Sequence, residues 1–253
     1  MISKTDKVNS IIVLYQEDYK VKINKFIASN NFTIVNSDVT KKLQRDVTNT
    51  VKECQQIIHK YGRWKYVNLN ATSPTIRGLL KVHKEDAPFR PILNWNNAAA
   101  YKLDKMLVRK IRAHIPLPYT FNAENTVQLM NDLTDLPYDR NIKFSSLDIN
   151  IMYSNIPIKE MITILEKLCE MNNIENKTKQ DILKMTQIKV DQNYFRFQNT
   201  IYVQNEGLTM GAPTSSIFSE IYLQVLENTK IAELLLKLKV EGYFRYVDDI
   251  FIM

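Results

Sequence analysis

Two spacings of apolar residues alternate along the chain, and together they predict a mixture of helices and strands. In residues 1–66, apolar positions recur every three to four residues, which is the repeat of one helix face. The two stripes are Ile11, Leu14, Tyr15 and Tyr19, and then Val47, Val51, Cys54, Ile57 and Ile58. We therefore expect a helical N-terminal extension over residues 1–66, with Ser37 or Asp38 as the N-cap of its second helix.

Beyond residue 66, short runs of β-branched and aromatic residues predict strands, and the polar residues between them predict turns. The predicted strands are 75–82, 90–95, 143–149, 194–197, 200–204, 243–247 and 250–253. Helical spacing returns between them, and the predicted helices are 99–114, 124–133, a helix opened by Pro157 with the stripe Ile158, Ile162, Leu165 and Cys169, 177–188 and 217–238. Hairpins interleaved with helices predict an α+β architecture.

The composition is that of a globular protein, and its charge points to one class of partner. The chain has 253 residues, of which 45% are hydrophobic and 24% are charged, enough for one large domain or two small ones. Its net charge of +7 suits a polyanion such as nucleic acid, although a basic protein without such a partner would carry the same charge. No apolar run is long enough to cross a bilayer, so we expect no membrane partner.

Cysteine usage argues against a disulfide framework and against a structural zinc site. The two cysteines are Cys54 and Cys169, and no Cys-x-x-Cys pair occurs. Cys54 and His59 lie close in sequence but lack the further ligands that zinc requires. A reducing, intracellular compartment is therefore expected.

An aspartate pair near the end of the sequence is the strongest chemical signal. Asp248 and Asp249 lie between two apolar runs, so a hairpin there would project both carboxylates at one point. Two such charges are unfavourable together unless a cation lies between them, and paired hard oxygens suit Mg²⁺. Asp148 follows another apolar strand. Alone it is a common turn former, but with the pair it completes the carboxylate set of two-metal nucleotidyl transfer.

Five short segments occur in the order found in one polymerase family. They are GLLKVHK at 78–84, FRPI at 89–92, SNIP at 154–157, GLTMGAP at 207–213 and RYVDD at 245–249. With these segments the chain resembles the reverse transcriptases of Penelope-like retroelements, a family related to telomerase. The resemblance implies the antiparallel sheet and packed helices of a right-hand polymerase. Residues 67–143 would form the fingers with part of the palm, and 144–253 the palm with its catalytic hairpin, whereas the thumb is absent from this sequence.

The resemblance also implies a role for particular residues. Asp148, Asp248 and Asp249 would be catalytic and would hold two Mg²⁺ ions, with Mn²⁺ as a substitute. The incoming nucleotide would contact Lys81, Arg90, Tyr153, Gly211 and Gln204. The primer and template would contact Tyr246, Lys84, Gly207 and Pro213. Lys84 competes with Lys81 for the triphosphate, and the ring of Tyr153 would exclude a 2′-hydroxyl.

Plain structural interpretations remain open for several of these residues. The lysines and Arg90 could belong to a basic, solvent-facing hairpin. Tyr153 could be a core aromatic between a strand and a helix. The glycines could shape a helix-entry loop that binds no ligand, because glycine permits close backbone approach in either case.

By this resemblance the chain would be an RNA-directed DNA polymerase that extends a DNA primer on an RNA template with dNTPs, in the nucleus. An RNA-directed RNA polymerase shares the palm chemistry and is the second enzymatic hypothesis. The missing thumb and endonuclease predict a fragment of a longer retroelement product or a truncated, inactive remnant that still binds nucleic acid. The sequence leaves the oligomeric state open.

Overall fold

The computed structural model describes residues 1–6, 10–82, 85, 87–136 and 141–253. Its strands are β1 (Ile2–Lys4), β2 (Ile11–Val13), β3 (Phe32–Val35), β4 (Thr75–Leu80), β5 (Phe89–Asn94), β6 (Ser145–Asp148), β7 (Tyr194–Phe197), β8 (Thr200–Gln204), β9 (Tyr243–Tyr246) and β10 (Asp249–Ile252). Its helices are α1 (Gln16–Ala28), α2 (Thr40–Glu53), α3 (Tyr101–His114), α4 (Thr126–Thr134), α5 (Ile158–Met171), α6 (Asn176–Asp191), α7 (Ser215–Leu226) and α8 (Ala232–Leu238). Short 3-10 segments cover Lys60–Tyr66 and Met152–Asn155, and a π-helical turn covers Glu227–Ile231. The predicted α+β architecture is confirmed.

The larger sheet has five strands in the order β3-β8-β7-β4-β5. Its neighbours run antiparallel except β4 and β7, which pair in parallel through Thr75 and Arg196. The two hairpins predicted in this region, β4 with β5 and β7 with β8, are both present. Helix α1 packs on this sheet, where Ile23 joins Trp95 and Phe195 in an apolar cluster.

The smaller sheet has three antiparallel strands in the order β6-β10-β9. Strand β10 pairs with β9 in the predicted terminal hairpin, but the turn is Val247-Asp248 instead of the predicted Asp248-Asp249, because Asp249 already pairs with Tyr246. The other edge of β10 pairs with β6 from a distant part of the sequence. The central position of β10 is what brings the end of β6 beside the hairpin turn.

The main core lies between α2, α3, α5, α6 and α7. Each of these helices contributes fully buried side chains, for example Val51, Leu107, Leu165, Ile182 and Phe218. Removing an aliphatic or aromatic side chain of this size from water contributes about 1.5–3 kcal/mol. No helix in the described part of the chain is both long and apolar enough to cross a membrane.

The first 66 residues differ from the helical extension that the apolar spacing predicts. Helices α1 and α2 form there, but so do β1, β2 and β3. The predicted stripe that begins at Ile11 falls partly in β2, because a run of β-branched residues favours an extended backbone. Strand β3 pairs with β8 and so extends the larger sheet. Long-range main-chain hydrogen bonding therefore overrides local helical spacing in this region.

The second predicted helix of the N-terminal region is present as α2. It buries Leu43, Val47 and Val51 on one face, as the spacing predicts. The N-cap is Val39 and neither Ser37 nor Asp38, so that prediction is wrong. The Asp38 carboxylate nevertheless accepts a 2.9 Å hydrogen bond from the N–H of Thr40, the first residue of the helix. The helix ends before Ile57 and Ile58, which were predicted to extend the stripe.

Two other predicted helices differ from the structure in detail. In α5 the fully buried face includes Met161, whereas Ile158 and Ile162 are only partly buried at the edge of the core. The predicted helix 217–238 is helical throughout, but the π-helical turn Glu227–Ile231 divides it into α7 and α8. Such turns often occur at functional sites.

Candidate active site

The three aspartates that the sequence singles out meet at one end of the smaller sheet. Asp249 begins β10 and lies directly opposite Asp148 of β6, so their side chains project from the same face. Asp248 lies in the hairpin turn, and its carbonyl oxygen accepts a 2.8 Å hydrogen bond from the N–H of Ile149. Backbone pairing alone therefore brings the three residues together.

These carboxylates form an open acidic surface. Asp148 and Asp249 are exposed and Asp248 is half-buried. Among the residues that the structure describes, no three His, Cys, Asp or Glu side chains form a ready-made metal cluster. The ion pairs of the described ranges also leave all three aspartates unneutralised. Each carboxylate offers hard oxygens of the kind that Mg²⁺ takes together with phosphate and water.

The turn that carries Asp248 is strained. Strands β9 and β10 are joined by Val247 and Asp248, and Val247 has a φ of 58°. A β-branched residue at positive φ is a rare conformation that costs about 1–3 kcal/mol, and tight hairpins usually have glycine or asparagine there. The guanidinium of Arg245 donates a 3.1 Å hydrogen bond to the carbonyl oxygen of Val247 and helps to hold the turn.

Arg245 ties this turn to the helix behind it, which the sequence analysis missed. Its side chain is 0% exposed and donates to Glu227 at 2.6 and 3.1 Å and to Glu220 at 2.8 and 3.1 Å. Burial alone would lower the pKa of Arg245, but its hydrogen bonds to both carboxylates hold that pKa above its ordinary value. Because Arg245 forms its ion pairs with the two glutamates, it supports the turn through the Val247 carbonyl and does not neutralise the aspartates.

Tyr153 faces the same region from the 3-10 turn that follows β6. Partial burial raises the pKa of its hydroxyl, the nearby carboxylates of Asp248 and Glu220 raise it further, and Arg90 opposes them. The hydroxyl is therefore close enough to the hairpin turn and to strand β5 for the charges of both to act on it, while the ring packs against the edge of the main core. Three of the predicted site residues, from three separate elements, are brought together in this way.

Arg90 and Lys81 lie on one face of the β4–β5 hairpin. Leu79 pairs with Arg90, and the N–H of Lys81 continues the ladder with a 2.9 Å bond to the carbonyl oxygen of Pro88. Residues two apart on a strand share a face, so Lys81 and Arg90 project the same way. Arg90 Nη1 lies 3.1 Å from Oδ1 of Asp6, a buried carboxylate that the sequence analysis did not consider.

Loop 207–213 is held between the Tyr153 turn and strand β5. Gly207 has a φ of 74°, and a Cβ on it would overlap the backbone of Ser154. Gly211 has a φ of 94°, and a Cβ on it would overlap the carbonyl oxygen of Leu93. Both positions require glycine because of backbone conformation and because of space.

Gln204 and Pro213 lie at the two ends of this loop. The amide of Gln204 donates a 2.7 Å hydrogen bond to the carbonyl oxygen of Glu206, so it braces the loop from β8. Pro213 precedes Thr214, whose N–H donates to buried Asp104 at 3.2 Å and fixes the entry to α7. In this structure both residues shape the loop itself.

Tyr246 and Lys84 are the two remaining predicted site residues. Tyr246 ends β9, is exposed, and pairs with Asp249 across the hairpin, so its ring lies beside the acidic surface. Lys84 lies outside the described residues, and the choice between Lys81 and Lys84 therefore stays a prediction.

A Gly207→Ala substitution tests the close approach of the loop. We expect it to lower the free energy of unfolding by about 2 kcal/mol or more, because alanine at positive φ is strained and its methyl group would displace Ser154. Gly62→Ala is the matched control, since nothing lies within 4 Å of a Cβ there. Urea unfolding of both variants measures the difference, and equal stability would contradict the packing described.

Comparison with known proteins yields matches at the level of structure. No family model and no curated protein matches the sequence. The chain superposes on telomerase from Candida albicans, solved with a TWJ fragment of telomeric RNA, with a TM-score of 0.62 and 15% identity, over 100% of this chain and 45% of that one. Apo telomerase from Candida tropicalis truncated from its C-terminal domain matches with a TM-score of 0.61 and 14% identity, over 99% and 52%.

A third match agrees with these two. Telomerase from Candida tropicalis, also with a TWJ fragment of telomeric RNA, gives a TM-score of 0.64 and 11% identity, over 99% of this chain and 42% of that one. The chain thus spans about half the length of the telomerases that it matches. Identities this low show a shared fold, and the protein has the α+β fold of the matching half of telomerase.

Proposed function

We propose that this chain is the fingers and palm region of a reverse transcriptase of the Penelope-like type, and that it catalyses RNA-directed DNA synthesis. The observation that carries the proposal is the register of the smaller sheet, which sets Asp249 opposite Asp148 and Asp248 in the adjoining turn. Residues 67–143 supply the fingers with part of the palm, and 144–253 supply the palm. The telomerase-like fold supports this assignment.

Asp148, Asp248 and Asp249 would together hold two Mg²⁺ ions, with Mn²⁺ as a substitute. All three offer hard oxygen ligands, come from β6 and the β9–β10 hairpin, and have no ion-pair partner in the described ranges. When bound, the ions supply Lewis-acid stabilisation of the charge that develops at the reacting phosphate. The contribution of the chain is to hold these carboxylates in place, which Arg245 does for the turn by donating to the Val247 carbonyl.

The nucleotide would lie between the β4–β5 hairpin and the hairpin turn. Arg90 offers a planar fork of donors for the triphosphate, and Lys81 on the same face offers a point charge. The pairing of Arg90 with Asp6 means that a triphosphate would replace a carboxylate as the partner of this arginine. Loop 207–213 closes the third side. The partners of this site are an RNA template, a DNA primer and dNTPs.

Replacing Tyr153 tests its assignment as the group that excludes ribonucleotides. The half-buried Tyr153 is near enough to Asp248 and Arg90 for both charges to act on the pKa of its hydroxyl, and in this proposal the sugar of a bound nucleotide lies against its ring. We expect Tyr153→Ala to reduce the preference for dNTPs over rNTPs at least about tenfold, about 1.4 kcal/mol. Single-nucleotide extension with each substrate gives the ratio of kcat/KM values. Tyr222→Ala, a partly buried tyrosine on α7, is the control, and an active Tyr153→Ala enzyme with parental discrimination would refute the assignment.

Primer extension tests the function as a whole. The purified chain is given a DNA primer on an RNA template with Mg²⁺ and dNTPs, beside a reaction that contains EDTA. Extension that requires Mg²⁺ and dNTPs supports a reverse transcriptase, and extension with rNTPs alone would instead indicate an RNA polymerase. Salt-dependent binding of the duplex without extension would overturn the proposal in favour of a non-catalytic binding module.

A further inference from the structure

The 3-10 turn Lys60–Tyr66 displays two large aromatic rings to solvent. Tyr61 is 91% exposed and Trp64 is 71% exposed. Lys60 and Lys65 are exposed beside them, and Arg63 is partly exposed. We call this segment the aromatic–basic turn. Two exposed rings of this size so close together are unusual for a surface without a binding partner.

The sequence that flanks the aromatic–basic turn carries charge of one sign. No aspartate or glutamate occurs between Glu53 and Glu85 in the sequence, whereas lysine and arginine recur throughout that stretch. Glu53 itself is paired with Lys184 at 2.7 Å. The ammonium group of Lys65 lies 5.8 Å from the centre of the Trp64 ring, so a cation stands directly beside an exposed aromatic face. Positive charge interleaved with aromatic rings is complementary to a polyanion that has stackable bases.

The aromatic–basic turn is fixed to the helices behind it. Lys102 of α3 donates a 3.3 Å hydrogen bond to the carbonyl oxygen of Val67, at the end of the turn. Gln44 of α2 donates to the carbonyl oxygens of Asn68 and Leu69 at 3.0 and 2.7 Å. The rings are therefore presented from a rigid base, so little ordering entropy would oppose binding.

We propose that the aromatic–basic turn is a binding site for single-stranded RNA. Bases stack on Tyr61 and Trp64, while Lys60, Arg63 and Lys65 contact the phosphates. Stacking needs a free base face, so the site takes unpaired strands and disfavours duplex. The choice of RNA rests on the proposed function, in which the unpaired part of the strand is the template. The site itself lies outside the region formed by the aspartates, Arg90 and Tyr153.

Intrinsic fluorescence tests this inference, because the chain has only two tryptophans. Trp64 is exposed, whereas Trp95 is 1% exposed, so a stacking ligand can quench only Trp64. The probe is an RNA of about 12 nucleotides without self-complementarity. We expect RNA to quench the parent, to leave the Trp64→Ala spectrum unchanged, and to bind Trp64→Ala at least about tenfold more weakly, as measured by fluorescence anisotropy of a labelled RNA. Tyr15→Ala, another exposed aromatic, stands next to Glu17 and Asp18 and should bind like the parent.

Salt dependence tests the phosphate contacts separately. The double variant Lys60→Ala/Lys65→Ala should reduce the slope of log Kd against log salt by about 1.4, since each phosphate that a lysine neutralises on a single strand contributes about 0.7. Lys237→Ala/Lys239→Ala, at the end of α8, is the matched control and should keep the parental slope.

The outcomes separate this inference from the proposed function. Quenching by RNA supports the site whether or not the chain extends primers. Equal quenching by the matched duplex, or tighter binding of the DNA strand of the same sequence, would overturn the RNA assignment. Absence of quenching by any of these nucleic acids would overturn the site and leave the aromatic–basic turn as a contact for another protein segment.

Discussion

Asp248→Asn should lower the kcat of primer extension by at least about 10³-fold, which corresponds to about 4 kcal/mol of transition-state stabilisation. Asparagine fits the same space in the hairpin turn but removes the negative charge that, in the proposed function, would hold a divalent cation. Asp148→Asn should cause a loss of similar size, because Asp148 lies across the sheet from Asp249 and beside the same turn. Single-turnover extension measures the chemical step directly for both variants.

The control for this experiment is Asp135→Asn. Asp135 is an exposed carboxylate at the C-terminal end of α4, where loss of a negative charge does not strain the helix. Its extension rate should equal that of the parent. Asp248→Asn must also retain the parental urea midpoint, so that lost activity cannot reflect lost structure. A stable Asp248→Asn variant that extends primers within about twofold of the parental rate would remove the aspartate from the proposed chemistry.

Arg245→Met should lower the free energy of unfolding by about 3–5 kcal/mol. The guanidinium is fully buried between Glu227 and Glu220, so its loss leaves two largely buried carboxylates without their cation. Among the described residues, only the neutral donors Tyr243 and Gln224 then remain as their hydrogen-bond partners. The same substitution removes the donor to the carbonyl oxygen of Val247 and should loosen the turn that carries Asp248. Urea unfolding measures the first effect.

Arg196→Met is the matched control for Arg245→Met. Arg196 pairs with Asp38, but both side chains are about two-fifths exposed, so this ion pair is screened by solvent and should contribute about 1 kcal/mol or less. If Arg245→Met does not fold, Arg245→Lys keeps the charge while losing the fork of donors, and an intermediate loss is expected. Equal, small effects at positions 245 and 196 would show that the buried network does not hold the turn.

Much of the fold follows from local patterns in the sequence. The hairpin of β7 and β8 has the predicted bounds, because alternating β-formers flank a polar pair. The carboxylate pair was identifiable because adjacent acids between apolar strands have few structural uses. Strand β3 was missed, since its place is decided by pairing with β8, which lies far along the chain.

The buried arginine network shows what a sequence pattern leaves unspecified. Glu220 and Glu227 are seven residues apart with Gln224 between them, so three polar residues share one face of a helix, and that interruption of its apolar pattern is a signal that could have been used. Their partner Arg245 comes from a strand, and nothing in the spacing identifies it. Asp6 was missed for the same reason, because its contact with Arg90 joins the N-terminus to β5. The exposure of Tyr61 and Trp64 is likewise a tertiary property.

The two glycines of loop 207–213 determine how far apart two sides of the proposed nucleotide site lie. Backbone atoms of the loop touch the Tyr153 turn at Gly207 and strand β5 at Gly211, with no room for a Cβ at either point. Contacts between backbone atoms cannot be relieved by a change of side-chain rotamer. The distance between the Tyr153 turn and β5 is therefore fixed by the loop that lies between them. A substitution at either glycine that moved the Tyr153 turn away from β5 would therefore also destabilise the fold.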